Sequence, residues 1–368
     1  MTDPAKKKIF FKNLDGLRAI AATLVFIWHV ELHKHHMNIP EIKIPDLGFM
    51  GVTIFLVLSG FLITYLLMEE RAFNQDINYK QFYLRRILRI WPLYFLVLLF
   101  GYFVYPANMT LKGLLFSTFF LPNFAILMGL LPTIIDPIWS IGVEEQFYLF
   151  QPHLMRIKKP VNIVRTFLVL ILLIYIIRGG IRYFFPGNQT MHVIEFGLAY
   201  FRFDCLLIGS LAALLFYNEK HKLFKTGFSL APLFSKPAQF LCFGLLAVYI
   251  PLRMGHPHIF NNEALAIVAA VAILNLSKAD TCVISIDNKI MNHLGKISYG
   301  FYLLHKIPLF LMLYIAERYL SGYSPLAVNF IIYFFSFGLT VMLASISYKY
   351  FESYFLRLKV RFSKIVRQ

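Results

Sequence analysis

Apolar runs of about twenty residues, separated by short polar and basic segments, recur from one end of the sequence to the other. A helix needs a run of about that length to cross the roughly 30 Å hydrocarbon core of a bilayer. The pattern predicts spanning helices at about 14–32, 48–68, 86–105, 161–178, 195–217, 237–252, 262–276, 293–315 and 327–347, with one more crossing between 112 and 155. The runs are continuous rather than alternating, which argues against a β-barrel. The expected fold is therefore all-α, a polytopic membrane bundle of about ten transmembrane helices. The stretch 112–155 holds two apolar pieces, 113–131 and 139–152, split by Pro132, Asp136 and Pro137. Only an odd number of crossings fits the basic segment that follows, so one piece is expected to lie flat, to re-enter or to form a broken helix. No repeat, low-complexity tract or linker interrupts the pattern. Residues 1–368 read as a single membrane domain with no attached soluble catalytic domain, and the polar tail after Tyr348 as too short to fold alone.

Composition strengthens this picture. The chain is 58% hydrophobic and only 15% charged, with a mean hydropathy of +0.64, whereas about a quarter of a soluble domain is charged. A net charge of +17 would suit nucleic acid, but the Lys and Arg cluster between apolar runs. Most fall before the first run (through Arg18), in Arg71–Arg89, Arg156–Arg165, Lys220–Lys236 and Lys278–Lys296, and from Lys349 on. Lys34, Lys43, Lys112, Arg178, Arg182, Arg253 and Arg318 fall on the opposite side, and Arg202 and Lys306 within spans. This asymmetry places both termini in the cytosol. The expected partners include anionic membrane lipids and no nucleic acid. Lys6, Lys7, Lys8 and Lys12 precede a first run without an A-x-A cleavage site, so that run is expected to be retained as a span. Cys205, Cys242 and Cys282 show no CxxC spacing, which predicts neither a disulfide framework nor a zinc site. No metal is expected.

Ionisable groups inside spans are costly, so each is a candidate site. Arg86 and Arg89 lie one helical turn apart in Tyr83-Leu84-Arg85-Arg86-Ile87-Leu88-Arg89-Ile90-Trp91-Pro92, at the threshold of a span. Two guanidiniums on one helix face make an anion clamp. Arg85 adjoins it, and Arg18, which forms an i,i+3 pair with Asp15, either extends it or makes a structural ion pair at the interface. His29 lies roughly 22 Å up the first helix, as a general base or as a packing histidine. Of Glu144 and Glu145, one either orients an imidazole or acts as an acid–base group, or the two form an interfacial surface pair. Tyr302 and His305 share a helix face near mid-membrane, with Tyr299 less closely aligned, as a polar cavity wall or a structural layer. Arg202 and Asp204 cannot face each other at i,i+2 and read by default as structural ion pairs. His33, Lys34, His35 and His36 read as a solvated loop.

At these residues the chain resembles the acyltransferase-3 family of integral membrane O-acyltransferases, which modify bacterial surface glycans. The matching segments, in family order, are Leu14-Asp15-Gly16-Leu17-Arg18-Ala19 with His29; Leu58-Ser59-Gly60-Phe61; Arg86 to Arg89 as R-x-x-R; Trp139-Ser140 with Glu144-Glu145-Gln146-Phe147-Tyr148; Arg202-Phe203-Asp204 with Gly209; and Ser298-Tyr299 with His305. The resemblance implies a multi-pass protein of the bacterial cytoplasmic (inner) membrane. It implies transfer of an acyl group, most commonly acetyl, from acyl-coenzyme A to a hydroxyl of a glycan such as lipopolysaccharide O-antigen. Acetyl-coenzyme A is then a co-substrate, with no permanently bound cofactor. Arg86 and Arg89, with Arg85 and Arg18, would hold the donor. His29, Glu144, Glu145, Tyr302 and His305 would carry the chemistry, with Glu144 orienting the histidine and Tyr302 or His305 stabilising the oxyanion. Asp15, Trp139, Ser140, Arg202, Asp204, Ser298 and Tyr299 would be structural or acceptor-site residues. The rival from another class is a transporter or flippase of an anionic lipid or glycan.

Overall fold

The computed structural model describes residues 7–37, 39–42, 44–104, 110–225, 227, 229–255, 262–320, 322–362 and 365–367. Fifteen α-helices make up nearly all of it: α1 (Leu14–His36), α2 (Leu47–Asn74), α3 (Tyr79–Val104), α4 (Leu111–Thr118), α5 (Pro122–Leu127), α6 (Ile138–Leu154), α7 (Pro160–Phe184), α8 (Gln189–Phe201), α9 (Phe203–His221), α10 (Lys236–Gly255), α11 (Asn262–Ser277), α12 (Lys289–Leu304), α13 (Lys306–Tyr319), α14 (Pro325–Ile346) and α15 (Ser353–Arg361). Short polar residues cap the entries: Asp46, Thr110, Asn188, Asn288 and Ser324 each accept a backbone N–H of the first turn. A parallel pair of three-residue strands, β1 (Lys7–Ile9) and β2 (Ile365–Arg367), joins the two ends of the described chain.

Among the described residues, five helical stretches are long and apolar enough to cross a membrane: α2, α3, α7, α8 with α9, and α14 with α15. A sixth is the pair α12 and α13, bent by 61°. The molecule is thus a helical membrane-type bundle. Two predicted spans are broken, each for a local reason, and one of the two pieces of 112–155 is broken as expected. The 195–217 run breaks at Arg202, which takes a left-handed φ of 51° between α8 and α9. The 293–315 run bends at His305, because the Pro308 ring is incompatible with the carbonyl of residue 304, four positions earlier. The 113–131 piece folds as two short helices, α4 and α5, with Phe120 at a φ of 58° between them. The 139–152 piece lies within the single helix α6.

One expectation near the ends changes. The His33–His36 segment is the last turn of α1 rather than a solvated loop; His33 is buried and Lys34 is 0% exposed. Lys34 is drawn in by charge, since its Nζ bonds both Glu31 carboxylate oxygens (2.7 and 2.9 Å) and the Asn329 side chain, while Tyr333 donates to Glu31. The tail after Tyr348 continues α14 through a π-helical turn, Ser347–Glu352, into α15. At the other face, Arg156 donates to Asp76 and holds that carboxyl below the usual carboxylate range, tying the α2–α3 turn to the end of α6.

Helix α2 is the centre of the bundle, buried along most of its length, whereas α7 buries only Ile163, Phe167 and Arg178. It packs on α9 with backbone against backbone. A Cβ built on Gly60 would sit 2.0 Å from the Leu206 carbonyl oxygen, and one on Gly209 would sit 1.9 Å from that of Val57. Small residues at such crossings let membrane helices make the close contacts that hold them together. Replacing Gly209 with Leu forces α9 away from α2 and is expected to cost about 1–3 kcal/mol. Thermal unfolding in detergent should show a lowered midpoint. Gly338→Ala, at a position with open space around it, should show none.

Candidate functional site

A cavity of about 370 Å³ runs through the bundle beside α2. At one end it is lined by Asn74, the last residue of α2, by Gln81 in the first turn of α3 and by Lys359 of α15; at the other it reaches Ser140 and Tyr302. Its walls are apolar along α2 (Val52, Phe55, Leu62, Ile63, Leu66) and charged where α1, α3, α12 and α15 converge. The cations are Arg18, Arg85, Arg86, Arg89, Lys296 and Lys359, and the carboxylates are Asp15, Glu70, Glu144 and Glu352.

The arginines of α3 are not equivalent. Arg85 is tied into the protein, donating to the Glu70 carboxylate and, at 3.0 Å, to the Phe362 carbonyl. It serves as a latch between α2, α3 and the end of α15 more than as part of a clamp. Arg86 lies over the Tyr148 ring at 5.7 Å, with its buried Nε lacking a hydrogen-bond partner. Arg89, one turn on, faces the same cavity. Arg18 lies 3.9 Å from Asp15, and both line the wall, so the interfacial pair and the cavity position coexist.

The adjacent carboxylates diverge, because successive residues on a helix point about 100° apart. Glu144 lines the cavity, where its Oε2 accepts from Tyr148 (2.7 Å) and Ser59 (3.0 Å). Glu145 turns toward α3 and accepts from the Trp91 indole at 2.9 Å. The contact expected between Glu144 and His29 is replaced by another imidazole: His305 Nε2 lies 2.8 Å from His29 Nδ1. His305 is 0% exposed, and its Nδ1 donates to the Tyr302 carbonyl at 2.7 Å. Just past it, Lys306 is held by Asp136 (2.6 Å) and by the Thr133 carbonyl (3.0 Å). Neither histidine lines the cavity. Between them and it stands Tyr302, whose hydroxyl is 2.8 Å from Ser140 Oγ and whose ring meets Phe55 edge-on.

The remaining candidates divide. Ser298 and Tyr299 line the cavity, and the Tyr299 hydroxyl donates to the Ile90 carbonyl at 2.6 Å. Trp139 packs at a tilt against Tyr200, outside the cavity lining, with ring centroids 4.6 Å apart. Arg202 and Asp204 are not the ion pairs expected of them. Arg202, 3% exposed, donates to Thr53 (2.6 Å) and Cys205 (3.1 Å) and stacks on Phe49, while Asp204 accepts from Tyr175 at 3.5 Å. No group of three or more His, Cys, Asp or Glu suited to a metal occurs among the described residues. Sequence reasoning gave no role to Glu31, Asp136, Lys306, Glu352 or Lys359. Isolated charges within or beside apolar runs were the available sign, but their partners lie far away in sequence.

Comparison with known proteins bears on this arrangement. The family model described as an acyltransferase domain, acyltransferase-3, matches residues 11–349. A Staphylococcus aureus (strain COL) protein carrying the name "Putative O-acetyltransferase" is 27% identical over 95% of this chain and 58% of its own length. The peptidoglycan O-acetyltransferase OatA of Listeria monocytogenes is 27% identical over 80% of this chain and 49% of its own length. The O-acetyltransferase OatA of Staphylococcus aureus (strain NCTC 8325) is 26% identical over 94% of this chain and 57% of its own length. The chain therefore spans about half the length of these curated relatives. No solved structure matches it. With the family model covering nearly its whole length, the chain belongs to the acyltransferase-3 family.

Proposed function

We propose that this protein transfers an acyl group, acetyl by analogy with its relatives' names, from cytosolic acyl-coenzyme A to a hydroxyl of a cell-surface glycan. Peptidoglycan, the polymer named for one relative, and lipopolysaccharide O-antigen are the glycan classes that fit. The observation that carries this reading is the cavity itself. One end gathers Arg86 and Arg89, and the other ends at Tyr302 and Ser140, one hydrogen-bonded step from the His305–His29 pair. A donor with a phosphorylated head and a long flexible arm fits that division: guanidiniums hold phosphates, and the arm carries the thioester toward the imidazoles. Arg18 and His29, eleven positions apart on α1, are separated by about 16 Å along the helix.

In this reading the bundle has ten spans, with both termini and the arginine end of the cavity on the cytosolic side of the inner membrane; the β1–β2 pairing, which brings both ends to one face, supports it. His29 takes the proton of the acceptor hydroxyl as the oxygen attacks the thioester carbonyl. The C–S bond breaks, the ester forms, and the thiolate of coenzyme A leaves with the proton returned by the imidazolium. The Tyr302 hydroxyl, once freed from Ser140, stabilises the oxyanion in this reading.

The test is acyl transfer by purified, folded variants. His29→Ala should lower kcat by on the order of 10²–10⁴-fold with little change in donor KM; full activity would remove His29 from the chemistry. Arg89→Ala should raise donor KM by roughly tenfold or more, the loss of one charge-assisted contact, while leaving thermal stability near wild type. Arg85→Ala should do the reverse. Breaking its buried pair with Glu70 costs about 3–5 kcal/mol of stability, with a smaller effect on donor affinity. Equal donor KM in the Arg89 and wild-type proteins would remove the clamp.

A further inference from the structure

We propose that His305 is a positioning residue that fixes the tautomer of His29, so that Nε2 of His29 carries the lone pair that acts as base. The proposal rests on the reading of His29 as the base. It follows from which groups can donate. A carbonyl oxygen only accepts, so the 2.7 Å contact between His305 Nδ1 and the Tyr302 carbonyl places the His305 proton on Nδ1. In the neutral ring Nε2 is then a bare acceptor. Its 2.8 Å contact with His29 Nδ1 is a hydrogen bond when His29 Nδ1 carries the proton, which leaves the lone pair of His29 on Nε2. The two rings thus relay the polarity of backbone carbonyls to the reacting nitrogen, with the Val25 carbonyl, one turn back on α1, also within reach of the His29 ring. A base held in one tautomer by a partner on its far nitrogen has the arrangement known from hydrolase triads, with an imidazole here in place of the carboxylate.

The surroundings suit a fixed relay. His305 sits at the break between α12 and α13, and its imidazole folds back onto the Tyr302 carbonyl three residues earlier. Phe26 meets its ring edge-on at 6.4 Å, and Phe301 lies parallel at 6.5 Å. The side chain has no exposure. Both of its ring nitrogens are committed to protein partners, so neither remains to donate to an oxyanion, and a role through His29 is the one left to it. Glu144, held by Ser59 and Tyr148, serves the cavity instead.

The experiment compares wild type, His305→Leu and His305→Gln. It reads acyl-transfer kinetics together with nitrogen-15 NMR of labelled histidine rings, the His29 signals being assigned by their loss in His29→Gln. In wild type His29 should be protonated at Nδ1. In His305→Leu, which removes the imidazole acceptor and leaves only the Val25 carbonyl near the ring, the Nε2-protonated form should appear and kcat should fall on the order of 10²-fold, with donor KM within about twofold. In His305→Gln the side-chain oxygen can accept from Nδ1, so the Nδ1-protonated form and most of kcat should return. A wild-type His29 protonated at Nε2 overturns the proposal, as does a tautomer unchanged in His305→Leu or a glutamine variant as impaired as leucine. A tautomer that shifts with kcat intact overturns the underlying reading of His29 as the base, and is thereby distinguishable. If His305→Leu fails to fold, the wild-type and glutamine spectra still decide.

Discussion

The close backbone crossing of α2 and α9 is the contact on which the rest of the bundle depends. Lipid tails are as apolar as leucine side chains, so burying leucine gives membrane helices little reason to associate, and close van der Waals contact with interhelical hydrogen bonding must supply it. Gly60 and Gly209 bring each helix within contact of the other's carbonyls. A polar layer forms where they meet: Gln151 of α6 donates to Thr64 of α2 and Ser210 of α9, and Ser210 contacts the Gly60 carbonyl. With α2 fixed by this layer, its opposite face becomes the apolar wall of the cavity, and α1, α3 and α12 close around it.

Charge within the bundle is handled in two ways. Several buried ions are neutralised by a partner, as in Glu31–Lys34, Asp136–Lys306, Arg85–Glu70 and Arg178 with Glu195 and Glu263, Glu195 also meeting the exposed Arg182. Such pairs offset the cost of removing charge from water, and all but Glu31–Lys34 join separate segments of the chain. Arg86 and Arg89 follow the other pattern. They face a cavity in which cations outnumber carboxylates, and Arg86 keeps a buried N–H without a partner. A positive excess set into apolar walls is a standing attraction for an anionic ligand. Positioning is concentrated at helix irregularities. The bend at His305, the left-handed residue Arg202 and the π-helical turn carrying Glu352 each free backbone groups or redirect a side chain at the place where polar groups gather.

The sequence by itself determined the class of the protein. Continuous apolar runs and clustered basic residues specify a helical membrane bundle because hydrocarbon permits few alternatives for a backbone. Ordered motifs such as Arg86 to Arg89 and Trp139-Ser140 with Glu144-Glu145 point to the family. Residues one turn apart, such as Arg86 and Arg89 or Tyr302 and His305, were legible as neighbours because helix geometry alone joins them. The tertiary structure decided which polar groups meet across helices. His29 and His305 lie 276 positions apart, and no local rule distinguishes His305 from Glu144 as the partner of His29. Nor does spacing separate Arg85, tied to Glu70 and Phe362, from Arg86 and Arg89, or reveal that Lys34 is buried on Glu31 rather than solvated. Helix periodicity acts over a turn, whereas the pairing of buried charges and imidazoles is fixed only when whole helices pack, and that packing converts a familiar set of motifs into a particular site.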